Sequence, residues 1–162
     1  MSDAAPGSIP EGFELLPPQY AHSFVAHIGP FHARRESGGG LCIGTYLRAE
    51  HCNPFGEAHG GFLAAMADFV CAYHTLRGPD PTPSVTTVQL GTQMIASARL
   101  GEWLEGRATI RRKGRTIAHV GCDFTVGDRL VAHAEAVFRV LTQDGVAARL
   151  ERRERLQAGT TA

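Results

Sequence analysis

The sequence predicts an α+β fold in which one long helix is wrapped by a curved antiparallel sheet. Three observations predict it: an apolar run over residues 60–76 with one acid, four strand-like segments after that run, and strand faces made of small residues. A sheet face of alanine and glycine lets a helix lie close to it. We therefore expect a buried central helix over residues 61–76 inside a sheet of five to six strands.

The chain is expected to form a single domain with an extension at each end. Its 162 residues, 43% of them apolar, suffice for one hydrophobic core. Residues 1–20 are expected to form a leader with a short helix that Pro17-Pro18 ends. The domain should cover residues 21–142, and the charged segment 143–162 should be a helical tail.

Two strands are expected before the helix and four after it. A glycine-rich turn joins the first two, and the turns Lys113-Gly114 and Gly127-Asp128 join the last three into an antiparallel meander. The expected strands cover residues 24–34, 41–50, 85–96, 102–112, 115–126 and 129–141. Alternation predicts the inward faces of the last three strands: Leu104, Gly106, Ala108 and Ile110; Ala118, Val120, Cys122 and Phe124; Leu130, Ala132, Ala134, Ala136 and Phe138.

Composition disfavours several classes of protein. Sixteen basic and sixteen acidic residues cancel, so nothing favours binding to nucleic acid or to a membrane surface. The chain has neither a signal-like start nor an apolar run of about 18 residues. The four cysteines form no C-x-x-C pair and the eight histidines no close pairs, which favours buried thiols over disulfides and disfavours a metal site. We expect a cytoplasmic protein.

One acid interrupts the apolar helix. Asp68 is the only charged residue between Gly60 and Leu76. A carboxylate in such surroundings loses hydration, so its presence needs a reason. Asp68 is therefore a candidate general base or nucleophile. The alternative is a buried aspartate that hydrogen-bonds to the backbone.

The residues around this acid resemble a known family. Asn53 is followed six residues later by His59-Gly60-Gly61, and Asp68 lies nine residues after His59. With the long apolar helix and the strands that follow, this pattern resembles hot-dog-fold acyl-CoA thioesterases over residues 20–141. The likeness is to the PaaI-like type, found in bacterial phenylacetate degradation and among mammalian small acyl-CoA thioesterases. It implies a hot-dog fold and hydrolysis of acyl-CoA without metal or prosthetic group, coenzyme A being part of the substrate.

The resemblance implies roles for the helix residues. The Gly60 backbone N–H would donate to the thioester carbonyl, which agrees with the positive end of a helix dipole. Asp68 would activate water or attack the thioester itself. Eight helical residues at about 1.5 Å each separate the two groups by roughly 12 Å, too far for one carbonyl. The site should then be shared between two subunits. The resemblance also implies a dimer, and dimers of this family often pair into tetramers.

Other site residues are less sharply defined. Thr87 falls where relatives carry a serine or threonine that positions the water beside the acid, although a threonine in a strand needs no function. Thr86 is its rival because neighbouring strand residues face opposite sides. Asn53 either fixes the loop before the helix or orients the acid. His59 is interpreted as a hydrogen-bonding residue at the helix start, with a catalytic role as the alternative.

Two groups of residues are candidates for holding the substrate. The basic turn between two late strands could bind the phosphates of coenzyme A, or it could be a solvated hairpin tip. It contains Arg111, Arg112, Lys113 and Arg115. The acyl pocket should be lined by the helix and neighbouring segments, and its candidates are Phe55, Gly61, Phe62, Met66, Phe69 and Met94.

Three alternatives to a thioesterase remain open. A hot-dog hydratase would need a paired histidine and acid, but its usual aspartate with a histidine five residues later is missing. A non-catalytic acyl-CoA-binding module would not need Asp68. A protein that uses the fold only for assembly would leave the glycine pair unexplained.

Overall fold

The computed structural model describes residues 8–16 and 23–158. Three short strands and a short helix come first, followed by one long helix, four long strands and a C-terminal helix. In order they are β1 (Glu14–Leu15), α1 (Phe24–Ile28), β2 (His32–Arg35), β3 (Leu41–Tyr46), α2 (Gly60–Arg77), β4 (Ser84–Met94), β5 (Trp103–Lys113), β6 (Ile117–Val126), β7 (Arg129–Leu141) and α3 (Gln143–Ala158).

The described strands form one antiparallel sheet of seven, in the order β1-β2-β3-β5-β6-β7-β4. The sheet has one strand more than the expected five to six, because the two-residue β1 pairs with β2. The meander β5-β6-β7 is present, and β4 crosses over to pair with β7. This crossover makes β4 an edge strand.

Helix α2 packs on one face of the sheet and supplies the centre of the core. Gly106 marks a point of close approach, because a Cβ there would lie 2.6 Å from the Phe124 ring and 3.2 Å from a Val70 methyl group. Larger residues would push the helix outward. The largest fully buried apolar side chains of this core are Ile43, Leu47, Met66, Val70, Leu104, Val120, Phe124, Val131 and Phe138.

The N-terminal strands are shorter than expected. Residues 24–34 are not one strand: they form α1 and β2, separated at Pro30, which has no N–H for a sheet hydrogen bond. The expected strand 41–50 stops at Tyr46, after which Ala49–His51 form a 3-10 turn. The expected helix within 10–20 is absent from residues 10–16, which form a turn and β1, while residues 17–20 lie outside the described part.

A β-bulge changes one predicted face. The pairing of β6 with β7 shifts after Phe124, so that Val131 is an extra residue. Val131 and Ala132 are both buried, while Leu130 is 39% exposed. The prediction that Leu130 points inward is wrong, because the extra residue reverses the alternation before it.

One face of α2 stays partly open beside the edge strand. Ala64, Ala65, Asp68 and Ala72 are half-buried on this face. Among the described residues, no helix is long and apolar enough to cross a membrane.

Three buried histidines should make the fold sensitive to acid. His32, His51 and His74 lie in the interior, and burial lowers the pKa of each below its ordinary value of about 6.5. The unfolded chain therefore binds these protons at a higher pH than the folded chain does. Their contribution to stability is present above about pH 6.5 and is lost as the pH falls toward the folded values.

We expect the free energy of unfolding in urea to decrease between about pH 7 and pH 5. His51→Gln should flatten this decrease, because the neutral amide does not titrate. His119→Gln, at an exposed position of β6, is the matched control and should keep the wild-type slope. Equal slopes for His51→Gln and wild type would contradict the assignment.

Candidate active site

The first turn of α2 presents a free backbone donor. His59 precedes the helix, and its Nδ1 accepts a hydrogen bond of 2.9 Å from the Gly61 N–H. The His59 carbonyl accepts from the Leu63 N–H at 3.1 Å. Within the described residues, no group accepts from the Gly60 N–H, so this donor is available to a ligand. The structure thus gives His59 a capping role.

The two glycines of the helix start differ in what surrounds them. A Cβ on Gly61 would lie 3.0 Å from His59 Nδ1, so a side chain there would force the capping ring to shift by a few tenths of an ångström. A Cβ on Gly60 would meet only the flexible end of Met94, at 3.7 Å. The fold therefore tolerates a side chain at Gly60, and the open space beside this residue is available to a ligand.

Asn53 fixes the loop before the helix. Its side-chain oxygen accepts from the N–H groups of Phe55 at 2.9 Å and Glu57 at 3.2 Å, and its own N–H donates to the Glu57 carbonyl at 2.7 Å. Gly56 has a positive φ of 78° in this turn, a conformation that favours glycine. Of the two roles considered for Asn53, the contacts in the structure are those of the loop.

Asp68 and Thr87 form a pair on the open face of α2. The Thr87 hydroxyl donates to Asp68 Oδ1 at 2.7 Å. Thr87 lies opposite Phe138, which is buried under the helix, while Thr86 lies opposite the exposed Arg139. The register therefore turns Thr87 and not Thr86 toward α2.

A bulge keeps Met94 on that same face. Strand pairing shifts between Thr87 and Gln89, which leaves Val88 as an extra residue with 62% exposure. Thr87 and Met94 are an odd number of residues apart and would face opposite sides of a regular strand. The extra residue brings both to the helix side, Thr87 at Asp68 and Met94 at Gly60.

A cleft of about 310 Å³ opens beside the helix start. It combines the Gly60 backbone with the end of β4 and the loop that follows. Its lining residues are Glu57, Ala58, Gly60, Leu63, Met94, Ile95, Ala96, Ser97 and Ala98. Apart from Glu57 and Ser97, the lining is apolar or backbone, which suits the arm of a thioester.

Most of the predicted pocket residues lie elsewhere. Met94 and Gly60 line the cleft, and Gly61 lies beside it at the helix start. Phe62, Met66 and Phe69 are buried in the core, where Phe62 stacks on His51 and Phe69 on Phe31. Phe55 is 90% exposed at the loop tip. The helical period does not identify the residues that line the cleft, because α2 is apolar on most sides and its sequence does not show which side is open.

The basic hairpin is partly occupied by internal contacts. Lys113 Nζ forms an ion pair with Asp80 Oδ1 at 2.7 Å and donates a hydrogen bond to the Asp80 backbone carbonyl at 2.6 Å. Arg111 lies over Gly121 of β6, where a Cβ would be 2.8 Å from its Nε. Arg112 and Arg115 are exposed near the turn. Lys113 thus ties the hairpin to the loop before β4, a role that the sequence did not reveal.

Within a single chain, the predicted site residues form two separate groups. Asn53, His59, Gly60 and Met94 surround the start of α2, while Asp68 and Thr87 lie two helical turns away. The sequence reasoning missed the cleft residues Leu63 and Ser97 and the Lys113–Asp80 pair. It also missed His51, which accepts from the His59 N–H and packs on Phe62.

Comparisons with known proteins place this architecture in a family. The sequence profile of the thioesterase superfamily matches residues 55–133, from the loop tip to β7. A Pseudomonas aeruginosa protein named as an esterase, PA0474, is 32% identical over 133 residues, which are 82% of this chain and 98% of the relative. The chain belongs to the thioesterase superfamily. It has the hot-dog fold and is a thioester hydrolase, as the sequence predicted.

Other members of the family are similar over most of the domain. Human acyl-coenzyme A thioesterase 13 is 26% identical over 105 residues, which are 65% of this chain and 74% of the relative. A solved thioesterase structure from Ralstonia eutropha, a phenylacetic acid degradation-related protein, has 30% identity and a TM-score of 0.64. It covers 72% of this chain and 89% of its own. The predicted PaaI-like resemblance is thereby confirmed.

The hydroxyl of Thr87 should matter for turnover of thioesters. Thr87→Val removes the hydrogen bond to Asp68 at nearly constant volume, and hydrogen bonds to charged groups are worth about 1.5–3 kcal/mol. We expect kcat/KM to fall by about tenfold or more. Thr86→Val is the matched control and should remain close to wild type. If both variants hydrolyse thioesters at the wild-type rate, Thr87 does not orient the acid.

Proposed function

We propose that the protein is an acyl-CoA thioesterase that hydrolyses acyl-S-CoA to the free acid and coenzyme A. The observation that carries this proposal is the free Gly60 N–H at the start of α2, together with the Asp68–Thr87 pair on the same helix. The similarity to human acyl-coenzyme A thioesterase 13 supports coenzyme A as the carrier.

In this mechanism, the thioester carbonyl accepts a hydrogen bond from the Gly60 N–H. The positive end of the α2 dipole stabilises the negative charge that develops on the carbonyl oxygen. Asp68, oriented by Thr87, removes a proton from the attacking water or attacks the carbonyl carbon itself. The tetrahedral intermediate collapses with loss of the coenzyme A thiolate, and water hydrolyses any acyl-aspartate.

The reaction requires two subunits. Eight residues of helix separate Gly60 from Asp68 by roughly 12 Å, so each carbonyl would meet Gly60 of one subunit and Asp68 of another. An antiparallel pair of α2 helices with its twofold axis near Ala64 would bring these groups together. The half-buried alanines Ala64, Ala65 and Ala72 would allow close approach, and β4 offers an unpaired sheet edge.

Recognition of coenzyme A is assigned to the exposed guanidinium groups of the basic hairpin. Arg112 and Arg115 are free to reach phosphate oxygens, whose geometry guanidinium groups match. Lys113, which is paired with Asp80, would instead fix the position of the hairpin.

The first test is a hydrolysis screen over aromatic, short, medium and long acyl-CoA thioesters. Turnover is followed by the loss of thioester absorbance, so that the four protein thiols do not interfere. We expect Asp68→Asn to reduce turnover by on the order of a hundredfold or more with the fold intact. Asp128→Asn, at an exposed turn of the same protein, is the control for loss of one charge.

Each outcome of the screen decides between alternatives. Tight acyl-CoA binding without turnover in wild type would favour a non-catalytic binding module. Unchanged turnover in a folded Asp68→Asn variant would refute the assigned role. Comparing acyl-CoA with the corresponding N-acetylcysteamine thioester separates recognition of the nucleotide from the chemistry.

The shared site predicts complementation between two inactive variants. Gly60→Ala should fold, because its Cβ meets only Met94, but that Cβ would point into the cleft and obstruct the thioester. Mixed dimers of Gly60→Ala with Asp68→Asn contain one unaltered site of two. We expect subunit exchange between these variants to restore activity, measured against each variant alone. Verified mixed dimers that stay inactive would mean that each subunit works by itself.

A further inference from the structure

Met94 is the more exposed of the two methionines in the described part of a single chain. It is 47% exposed and lines the cleft beside the helix start. Met66, in contrast, is a fully buried residue of α2, and Met1 lies outside the described residues. The terminal methyl group of Met94 lies 3.7 Å from the position a Cβ on Gly60 would occupy. Its thioether is thus the group nearest to the open space at Gly60.

We propose that Met94 is a site of reversible oxidation that controls access to the Gly60 amide. This inference rests on the proposed function, in which the Gly60 N–H binds the thioester oxygen. Oxidation converts an apolar thioether into a sulfoxide, whose oxygen is a strong hydrogen-bond acceptor. The three rotatable bonds of the side chain let that oxygen reach the helix start.

The modifying step uses a peroxide as the oxidant. The Met94 sulfur attacks the terminal oxygen of the peroxide, the sulfur–oxygen bond forms, and the oxygen–oxygen bond breaks. Hydrogen peroxide is thereby reduced to water, and an alkyl hydroperoxide is reduced to the alcohol. The sulfur loses two electrons, the peroxide gains them, and a methionine sulfoxide reductase reverses the change.

The sulfoxide oxygen then occupies the place of the substrate carbonyl oxygen. Gly60 has a free N–H at the helix start, whereas the Gly61 N–H is already paired with His59. A sulfoxide accepting from Gly60 would also fill part of a cleft of about 310 Å³ with polar atoms. Binding of the thioester and stabilisation of the oxyanion are both weakened by this one change.

The cysteines are less reactive competitors for the oxidant. Cys42, Cys71 and Cys122 are buried, and burial raises the pKa of Cys42 to about 12. Cys52 is partly exposed, but burial and the nearby Glu50 raise its pKa as well. Thiols held in the protonated form react slowly with peroxides.

The test compares wild type with Met94→Leu, an apolar replacement of similar volume that peroxide does not oxidise. Both are prepared with Cys52→Ser, treated with hydrogen peroxide and assayed with acyl-CoA against their own untreated rates. Peptide mapping measures the mass gain of one oxygen at Met94 and at Met66. We expect wild type to lose on the order of a hundredfold in turnover as Met94 is oxidised, and to recover with methionine sulfoxide reductases.

The outcomes separate this inference from the proposed function. Met94→Leu should keep most of its own untreated rate after peroxide. Equal losses in both proteins, or full activity of wild type when Met94 is completely oxidised, would overturn the inference while leaving the thioesterase assignment intact. An untreated wild type without thioester turnover would refute the proposed function and this inference with it. If Met94→Leu does not fold, the correlation between Met94 oxidation and rate in wild type decides alone.

Discussion

The close packing of α2 against the sheet is the constraint on which the rest of the molecule depends. Gly106 removes the side chain that would hold the helix away, and Val70, Phe124 and Phe138 fill the space between the two layers. Once that interface is set, the rotation of the helix is set too. Its N-terminus then opens at the cleft and Asp68 lies beside β4. Burial of apolar surface thus fixes groups that themselves contribute little to stability.

Different polar residues hold the backbone of the site and contact its acid. The side chains of His59 and Asn53 are used to hold backbone, the first by capping α2 and the second by closing the loop before it. Their effect is to leave the Gly60 N–H unpaired in a defined place. Pre-organised donors of this kind lose little free energy to reorganisation when charge develops on a substrate. The side chain that donates to the acid comes instead from β4.

Much of the fold could be predicted from the sequence, because its signals are local. The apolar run gives α2 to within one residue at each end, and the turns after Lys113 and Val126 give the meander. The strand expected at 24–34 was wrong because an apolar segment of mixed period does not distinguish a short helix from a strand. The inward face assigned to Leu130 was wrong because a bulge leaves no mark in the sequence. The motif of the site could be predicted. Whether Thr86 or Thr87 contacts the acid depends on the strand register, which the sequence does not show. The ion pair between Lys113 and Asp80 depends on a contact between residues distant in sequence.

The extra residue at Val88 also affects how members of the family are compared. Counting along the chain from Asp68 does not identify the strand residue that faces it, since one insertion reverses the side of every position on one flank of the bulge. The hydroxyl position is defined by its pairing across the sheet with Phe138. A column alignment that ignores this pairing would score a relative with a differently placed bulge as lacking the hydroxyl, although its side chain occupies the same point in space. Equivalence in this strand is therefore a property of the hydrogen-bonded ladder and not of sequence position.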